Sequence, residues 1–349
     1  MSPPSHHLAA ILPAAGTPLE VIHRPTPKPG PNELLIEVKS LALNPLDCKQ
    51  RDFGIRVASY PAVLGSDIAG TVVSRGWSIP ADAPKPGTRV TAFAPCFFTQ
   101  AAPNYGAYQT HVLVPSENVA KIPQGMSFNE AAMLPLAVLT AWSAWYTLGF
   151  SRDLKYTAAD RQGMLVWGGA SSIGSAAVQT AKEMGFTVYT TASEKHHAHL
   201  KSLGASKVFD YKSGSVVEDI VKAAKEDGVT VQFGYDAVGQ VKNCMEVLNR
   251  SKGPEVQRAT LATAVLFQPD SLPDVRDVDV KFIAASLDDK ERTEMFHFIY
   301  REWLPKQLEA GNFVPGTKAE IVGKGLESVQ GGLDQLKAGV SGLKLVVEL

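Results

Sequence analysis

Residues 165–197 read LVWGGASSIGSAAVQTAKEMGFTVYTTASEKHH. An apolar run ends at Val166 and Trp167, and a run of small residues follows: Gly169, Ala170, Ser171, Ser172, Ile173 and Gly174. Serine stands where a G-x-G-x-x-G turn carries its middle glycine. Ile173, Ala177, Ala181 and Met184 then line one helical face, so strand, tight turn and helix succeed one another. Such a turn presents free backbone N–H groups at a helix N-terminus, and the helix dipole adds to their attraction for a pyrophosphate. The hydroxyls of Ser171 and Ser172 are expected to donate to phosphate oxygens, and Gly174 to permit close packing of helix on strand. A tight turn that binds nothing fits the glycine spacing as well, so the surrounding sequence has to decide.

The next strand, TVYTT, ends at Ala192-Ser193. An NAD-selective site places an acid there, about 20 residues past the turn, to accept the ribose hydroxyls. Here Ser193, Lys195 and His196 follow instead, and Tyr211 comes after the third strand. Donors and positive charge at this point suit the 2′-phosphate of NADPH. Glu194 is expected to face solvent. A helix cap at Ser193, a solvated charge at Lys195 and strand packing at Tyr211 are the structural alternatives.

Outward from this stretch, strands are expected at 164–167, 187–191, 207–211, 231–237, 258–263 and 280–286, with helices between most of them. That alternation implies a parallel, doubly wound sheet. The first 130 or so residues differ: they are rich in Pro and Gly and carry short β runs such as LLIEVKSLAL, TRVTAFA and AYQTHVLVP. The tail returns to mixed structure, with a long helix over 287–311, a strand KAEIV, a helix over 326–339 and the strand LKLVVEL. The fold class expected is therefore α/β plus β, with a β domain at 1–130 completed by 287–349 and a Rossmann domain inserted at 131–286.

The chain has 349 residues, 45% of them hydrophobic, enough for two domains with real cores. Its 34 basic and 35 acidic residues are interspersed, which disfavours nucleic acid and anionic membrane surfaces as partners. No apolar run approaches the ~20 residues of a membrane span, and the start lacks a secretory pattern, so a cytoplasmic protein is expected. Cys48, Cys96 and Cys244 are scattered and odd in number, as ordinary thiols of a reducing compartment would be.

Five stretches, SLALNPLDCKQRDF, YPAVLGSDIAGTVV, MLPLAVLTAWSAW, LVWGGASSIGSAA and SGLKLVVEL, together resemble the medium-chain dehydrogenase/reductase superfamily, whose members insert a Rossmann domain into a GroES-like β domain. The closest resemblance is to the zinc-independent quinone reductases and the fungal trans-acting enoyl reductases of the lovastatin type. Zinc-dependent members of the superfamily carry Cys-Gly-x-Asp where this chain has Asn44-Pro45-Leu46-Asp47, and Gly-His-Glu where it has Gly65-Ser66-Asp67. Their structural cysteine lobe is reduced here to Cys96. Since catalytic zinc takes about three strong N, S or O ligands, no metal is expected.

The resemblance implies reduction of a C=C bond conjugated to a carbonyl, with NADPH as cofactor and a small unsaturated substrate, free or carrier-bound. A zinc-free carbonyl or alcohol oxidoreductase and a non-catalytic NADPH-binding scaffold are the alternatives. Lys49 matches a lysine near the nicotinamide and is expected to donate the proton or polarise the carbonyl; a surface lysine at a helix start is its ordinary reading. Asn44 is expected either to bond the nicotinamide ribose or an enolate oxygen, or simply to form a turn. The cofactor is further expected against Pro45, Leu46, Asp47, Cys48, Thr140, Leu261, Gly342 and Leu343. The substrate is expected against Leu134, Leu136, Val138, Ala141, Phe282, Ile283, Ala284, Ala285 and Ser286. Tyr105, Tyr108 and His111 read mainly as packing residues. The resemblance leaves monomer and homodimer open.

Overall fold

The computed structural model describes residues 3–268 and 277–349. The chain forms two compact units, one of Met1–Leu136 with Ser286–Leu349, the other of Ala137–Ala285.

The second unit is built on a six-stranded parallel sheet. In spatial order the strands are Lys207–Phe209, Thr187–Thr191, Gln162–Trp167, Thr230–Asp236, Ala259–Thr263 and Val278–Phe282. The chain thus starts in the middle, runs to one edge, and crosses back to build the other half, which is the doubly wound order. Gln162–Trp167 is buried from its second residue onward because helices cover both faces, and this is why its sequence is a continuous apolar run. Leu165, Trp167, Ile220, Val231, Leu248 and Leu261 lie in one core on this sheet.

Two strand ends differ from expectation. The third strand stops at Phe209, so Tyr211 sits in the turn beyond it. The sixth runs Val278–Phe282, in register with Ala259–Thr263, and not over 280–286. Its partner ends at Thr263, whose carbonyl takes the Ile283 N–H (2.9 Å), so nothing is left to pair with Ala284 and Ala285.

The first unit holds a seven-stranded sheet. Lys318–Lys324, Leu343–Glu348, Glu33–Ala42, Asp67–Arg75, Arg89–Phe93 and Val119–Lys121 lie side by side, and His111–Pro115 also pairs with Glu33–Ala42. A smaller sheet joins Glu20–Pro25, His6–Leu12 and Ala62–Val63. The tail therefore contributes two strands to the sheet of the N-terminal residues, linked by the helix Ser328–Ala338. The long helix expected over 287–311 runs without interruption through Asp289–Phe296, a wider π-helical segment His297–Trp303 and Leu304–Glu309. In the wide segment the Leu304 N–H bonds the carbonyl of Ile299, five residues back, just before Pro305, which has no N–H to offer.

The division falls at 136/137 and 285/286, where sequence reasoning put it at 130/131 and 286/287. The short helix Phe128–Ala132 packs on Glu33–Ala42 and Asp67–Arg75, which keeps residues 131–136 with the first unit. Among the described residues, no helix is long and apolar enough to cross a membrane.

Candidate active site

In the second unit, the turn after Gln162–Trp167 is held by the neighbouring strand. Thr191 takes the Gly168 N–H on its hydroxyl (3.0 Å) and the Gly169 N–H on its carbonyl (3.0 Å). Gly168 has φ +84°, a left-handed conformation that favours glycine. A Cβ on Gly174 would lie 2.2 Å from the Gly168 carbonyl oxygen, so glycine is what lets helix Ser172–Glu183 approach the strand.

Ser171 caps that helix: its hydroxyl donates to the Gly168 carbonyl (2.8 Å) and accepts the Gly174 N–H (3.1 Å). This corrects the expectation that the Ser171 hydroxyl donates to phosphate, because its proton is already engaged inside the turn. The N–H groups of Ser172 and Ile173 have no acceptor among the described residues and, as the first N–H groups of the helix, form the kind of helix start that suits an anion. The middle serine thus replaces the middle glycine by capping the helix, and the turn keeps the donors a pyrophosphate needs.

At the end of the second strand, Ser193 and His196 are half-buried, and Lys195 and Glu194 are exposed. Burial, and then the adjacent Lys195, lower the pKa of His196. Ala192 and Phe209 are joined by a backbone hydrogen bond (3.0 Å), which aligns the ends of the second and third strands. Beyond them Tyr211 is 48% exposed, with the Lys212 ammonium 5.9 Å from its ring centroid. Lys212 adds a cation that sequence reasoning missed; its position directly after Tyr211 was the available signal.

Asp236, also unforeseen, closes the neighbouring strand. It is fully buried; one carboxylate oxygen accepts the N–H groups of Val238, Gly239 and Gln240 (2.9–3.1 Å) and the other accepts the Thr263 hydroxyl (3.0 Å). It fixes the loop that packs Val238 against Gly168. Leu261, expected at the cofactor, is fully buried in the core beneath the sheet and has no exposed surface to offer one. Thr140, on helix Pro135–Thr147, is half-buried, whereas Val138 and Ala141 are fully buried. Phe282 is 41% exposed and Ala284 exposed, while Ile283 is buried.

In the first unit, helix Pro45–Phe53 begins at Asn44. Pro at the first helical position needs no N–H partner, and Asp47 in the first turn accepts the Asn44 N–H (2.9 Å). Lys49 projects from this helix into solvent and makes no ion pair or hydrogen bond with the described residues. Pro45 is exposed and Leu46 half-buried. Cys48 is buried, its thiol directed to the Leu333 carbonyl (3.5 Å) and pushed up to about 11 by burial. Cys96 and Cys244 are likewise buried and free.

Asn44, expected either at the cofactor or substrate or simply in a turn, caps helix Pro45–Phe53 and is held by its neighbours. Its Nδ2 donates to Asp67 Oδ2 (2.9 Å) and its Oδ1 accepts from the Lys344 ammonium, so the whole side chain is engaged. Asp67 also accepts the Leu136 N–H (2.7 Å). Gly342 and Leu343, which lead into the strand bearing Lys344, are half-buried. Leu134 is buried and Leu136 half-buried. Ser286 is half-buried and its hydroxyl is tied locally, donating to Glu291 (2.7 Å) and accepting from the Asp288 N–H (3.1 Å).

Tyr105 and Tyr108 prove to be polar anchors as well as packing. Tyr105 donates to Glu33 (2.7 Å), and the fully buried Tyr108 donates to Asp47 Oδ2 (2.8 Å). Burial drives the Asp47 carboxyl up to about 7 against the lowering pull of Tyr108 and the Asn44 N–H. His111 is buried and its pKa lowered by that burial.

The raised Asp47 value has a consequence for stability. In the fold the carboxyl keeps its proton up to about pH 7, but the unfolded chain releases it near 3.8, so the folded state binds more protons in between. Its contribution is therefore complete below about pH 4 and is lost as pH rises through about 7. In Asp47→Asn this loss is expected to vanish, leaving a melting temperature that falls less between about pH 5 and 8 than in the parent chain. Parallel slopes in the two proteins, measured by thermal melts across that range, would refute the assignment.

Comparison with known proteins agrees with this geometry. Residues 30–124 match the family description "Alcohol dehydrogenase GroES-like domain" and residues 172–258 match "Zinc-binding dehydrogenase". A trans-enoyl reductase of Aspergillus flavipes is 45% identical over 98% of this chain and 99% of its own. A second, from Aspergillus terreus, is 46% identical over 83% of this chain and 96% of its own, and a dehydrogenase of Monascus ruber is 34% identical over 98% and 99%. Among solved structures, the quinone oxidoreductase of Coxiella burnetii is similar with a TM-score of 0.71 and 24% identity, over 99% of each chain. An alcohol dehydrogenase superfamily protein of Novosphingobium aromaticivorans gives 0.79 at 19%, over 98% and 99%; both likenesses concern the fold.

Among the described residues no three His, Cys, Asp or Glu side chains come together to hold a metal ion.

Proposed function

Since the chain belongs to the medium-chain dehydrogenase/reductase superfamily, as an oxidoreductase of the group that includes the fungal trans-enoyl reductases, we propose that it reduces an activated C=C bond with NADPH, without zinc. The observation that carries this reading is its 45% identity, over nearly both full lengths, to a trans-enoyl reductase. A nicotinamide cofactor follows from the superfamily, and the turn at 168–174 fits one: it has free N–H groups, a left-handed glycine and no Cβ at Gly174. When bound, that cofactor supplies a hydride.

The chain's residues then have distinct tasks. Ser172 and Ile173 N–H groups hold the pyrophosphate, while Gly168 takes the left-handed turn and Gly174 lets the helix pack close to the strand, which sets those N–H groups in place. Lys49, exposed and unpaired, is free to donate a proton to the carbon or oxygen of the enolate that remains after hydride has reached the β-carbon. Spreading charge into an enolate asks less of a Lewis acid than making an alkoxide, and the donor set here suits the first task. The substrate class is enones, enals, quinones or enoyl thioesters, free or carrier-bound. NADPH oxidation across these four classes, with product identification, tests the reading; oxidation of none of them would favour a cofactor-binding scaffold.

The choice of NADPH rests on Ser193, Lys195 and the Tyr211-Lys212 pair, with no acid ending the second strand. Glu194 is exposed, so its carboxylate has room to stay clear of a 2′-phosphate. Lys195→Ala is expected to weaken NADPH by about tenfold, as loss of one solvent-exposed charged contact should, while leaving NADH unchanged. Titration of both cofactors into both proteins checks it; equal losses for NADPH and NADH would show that Lys195 does not meet the phosphate.

A further inference from the structure

The misfit to zinc has a specific cause. Asp67 is fully buried and its carboxylate has three partners: the Leu136 N–H at 2.7 Å, Asn44 Nδ2 at 2.9 Å and the Lys344 ammonium at 3.0 Å. Lys344 is only 5% exposed, arrives from a strand 277 residues away in sequence, and donates also to Asn44 Oδ1. One ammonium thus bridges the two side-chain oxygens that a cation at this place would have to use. Beside Asp67, the Ser66 hydroxyl is buried with no hydrogen-bond partner. An amide oxygen and a hydroxyl are poor ligands for zinc, which takes thiolate, imidazole or carboxylate. A divalent ion at Asp67 would also have to evict the ammonium or sit against it, and like charges in a buried setting repel strongly.

We propose that Lys344 is a resident cation: its ammonium occupies the cation position of this buried centre, closes it to zinc, and acts as a positioning residue for Asn44 and Asp67. Coordination is lost twice over, through the ligand types at 44 and 66 and through the occupant. Restoring ligands alone is therefore insufficient.

The test uses the full chain and zinc itself. Two variants are compared, Asn44→Cys/Ser66→His with Lys344 kept, and the same pair with Lys344→Met. With folding checked by circular dichroism, zinc affinity is read by chelator competition. The lysine-free variant is expected to take one zinc per chain, at least about 100-fold tighter than the variant that keeps the ammonium. Equal affinity in the two would overturn the proposal, and so would absence of binding in the lysine-free variant. Should that variant fold only with zinc present, metal-dependent folding is itself the positive result. If it does not fold even then, Lys344→Gln in the same background keeps a polar side chain without the charge and is held to the same two outcomes.

Discussion

Gly174→Val is expected to reduce nicotinamide cofactor affinity by at least about tenfold and to lower the melting temperature. A Cβ at this position would come within 2.2 Å of the Gly168 carbonyl oxygen and 2.9 Å of its carbonyl carbon. Backbone atoms cannot rotate out of the way as a side chain would, so the helix must lift from the strand or the turn must unwind. Either movement shifts the Ser172 and Ile173 N–H groups and disturbs the Ser171 cap, which bonds the Gly168 carbonyl and the Gly174 N–H. Overpacking of this kind costs typically ~1–3 kcal/mol, and lost alignment of two charged-group hydrogen bonds adds a comparable amount to binding. Cofactor titration and thermal melts read the two effects separately. Wild-type affinity in a folded Gly174→Val protein would mean that the pyrophosphate does not use this turn.

Lys49→Met is expected to lower turnover by ~10²- to 10⁴-fold, the usual worth of a positioned general acid, with cofactor affinity nearly unchanged. Lys49 is exposed and has no ionic or hydrogen-bond partner among the described residues, so its removal leaves no buried charge behind and stability should hold. This separates it from Lys344, whose ammonium is buried and paired with Asp67. Methionine keeps the length of the stem and removes only the donor. Single-turnover rates, which exclude product release, are the measurement; an unchanged rate would leave proton delivery to another group.

The Rossmann half of the fold was legible because its signals are local. A strand buried on both faces reads as an apolar run, the turn as small residues, and the helix as a 3.6-residue period, all within about thirty positions. Residues 187–191 were placed to the residue for the same reason. The centre at Asp67 was not legible in this way, since Asn44, Asp67 and Lys344 meet only when the tail strand Leu343–Glu348 pairs beside Glu33–Ala42. Leu261 misled because an apolar residue in a strand looks alike whether it faces a ligand or the core. Ser171 misled because a hydroxyl at a helix start has two uses, and capping its own turn satisfied a donor that phosphate would otherwise have had to meet. The widened segment within the helix at 297–303 depends on a shift in hydrogen-bond register, which side-chain periodicity does not record.

The most direct test of the central claim follows the hydride itself. The enzyme is incubated with NADPH carrying deuterium at the transferable C4 position and with an α,β-unsaturated thioester or ketone, and the product is analysed by mass spectrometry and NMR. Reduction of an activated alkene predicts a saturated product with one deuterium at the β-carbon and the carbonyl intact. Deuterium on a carbinol carbon, with the double bond retained, would contradict it and identify a carbonyl reductase.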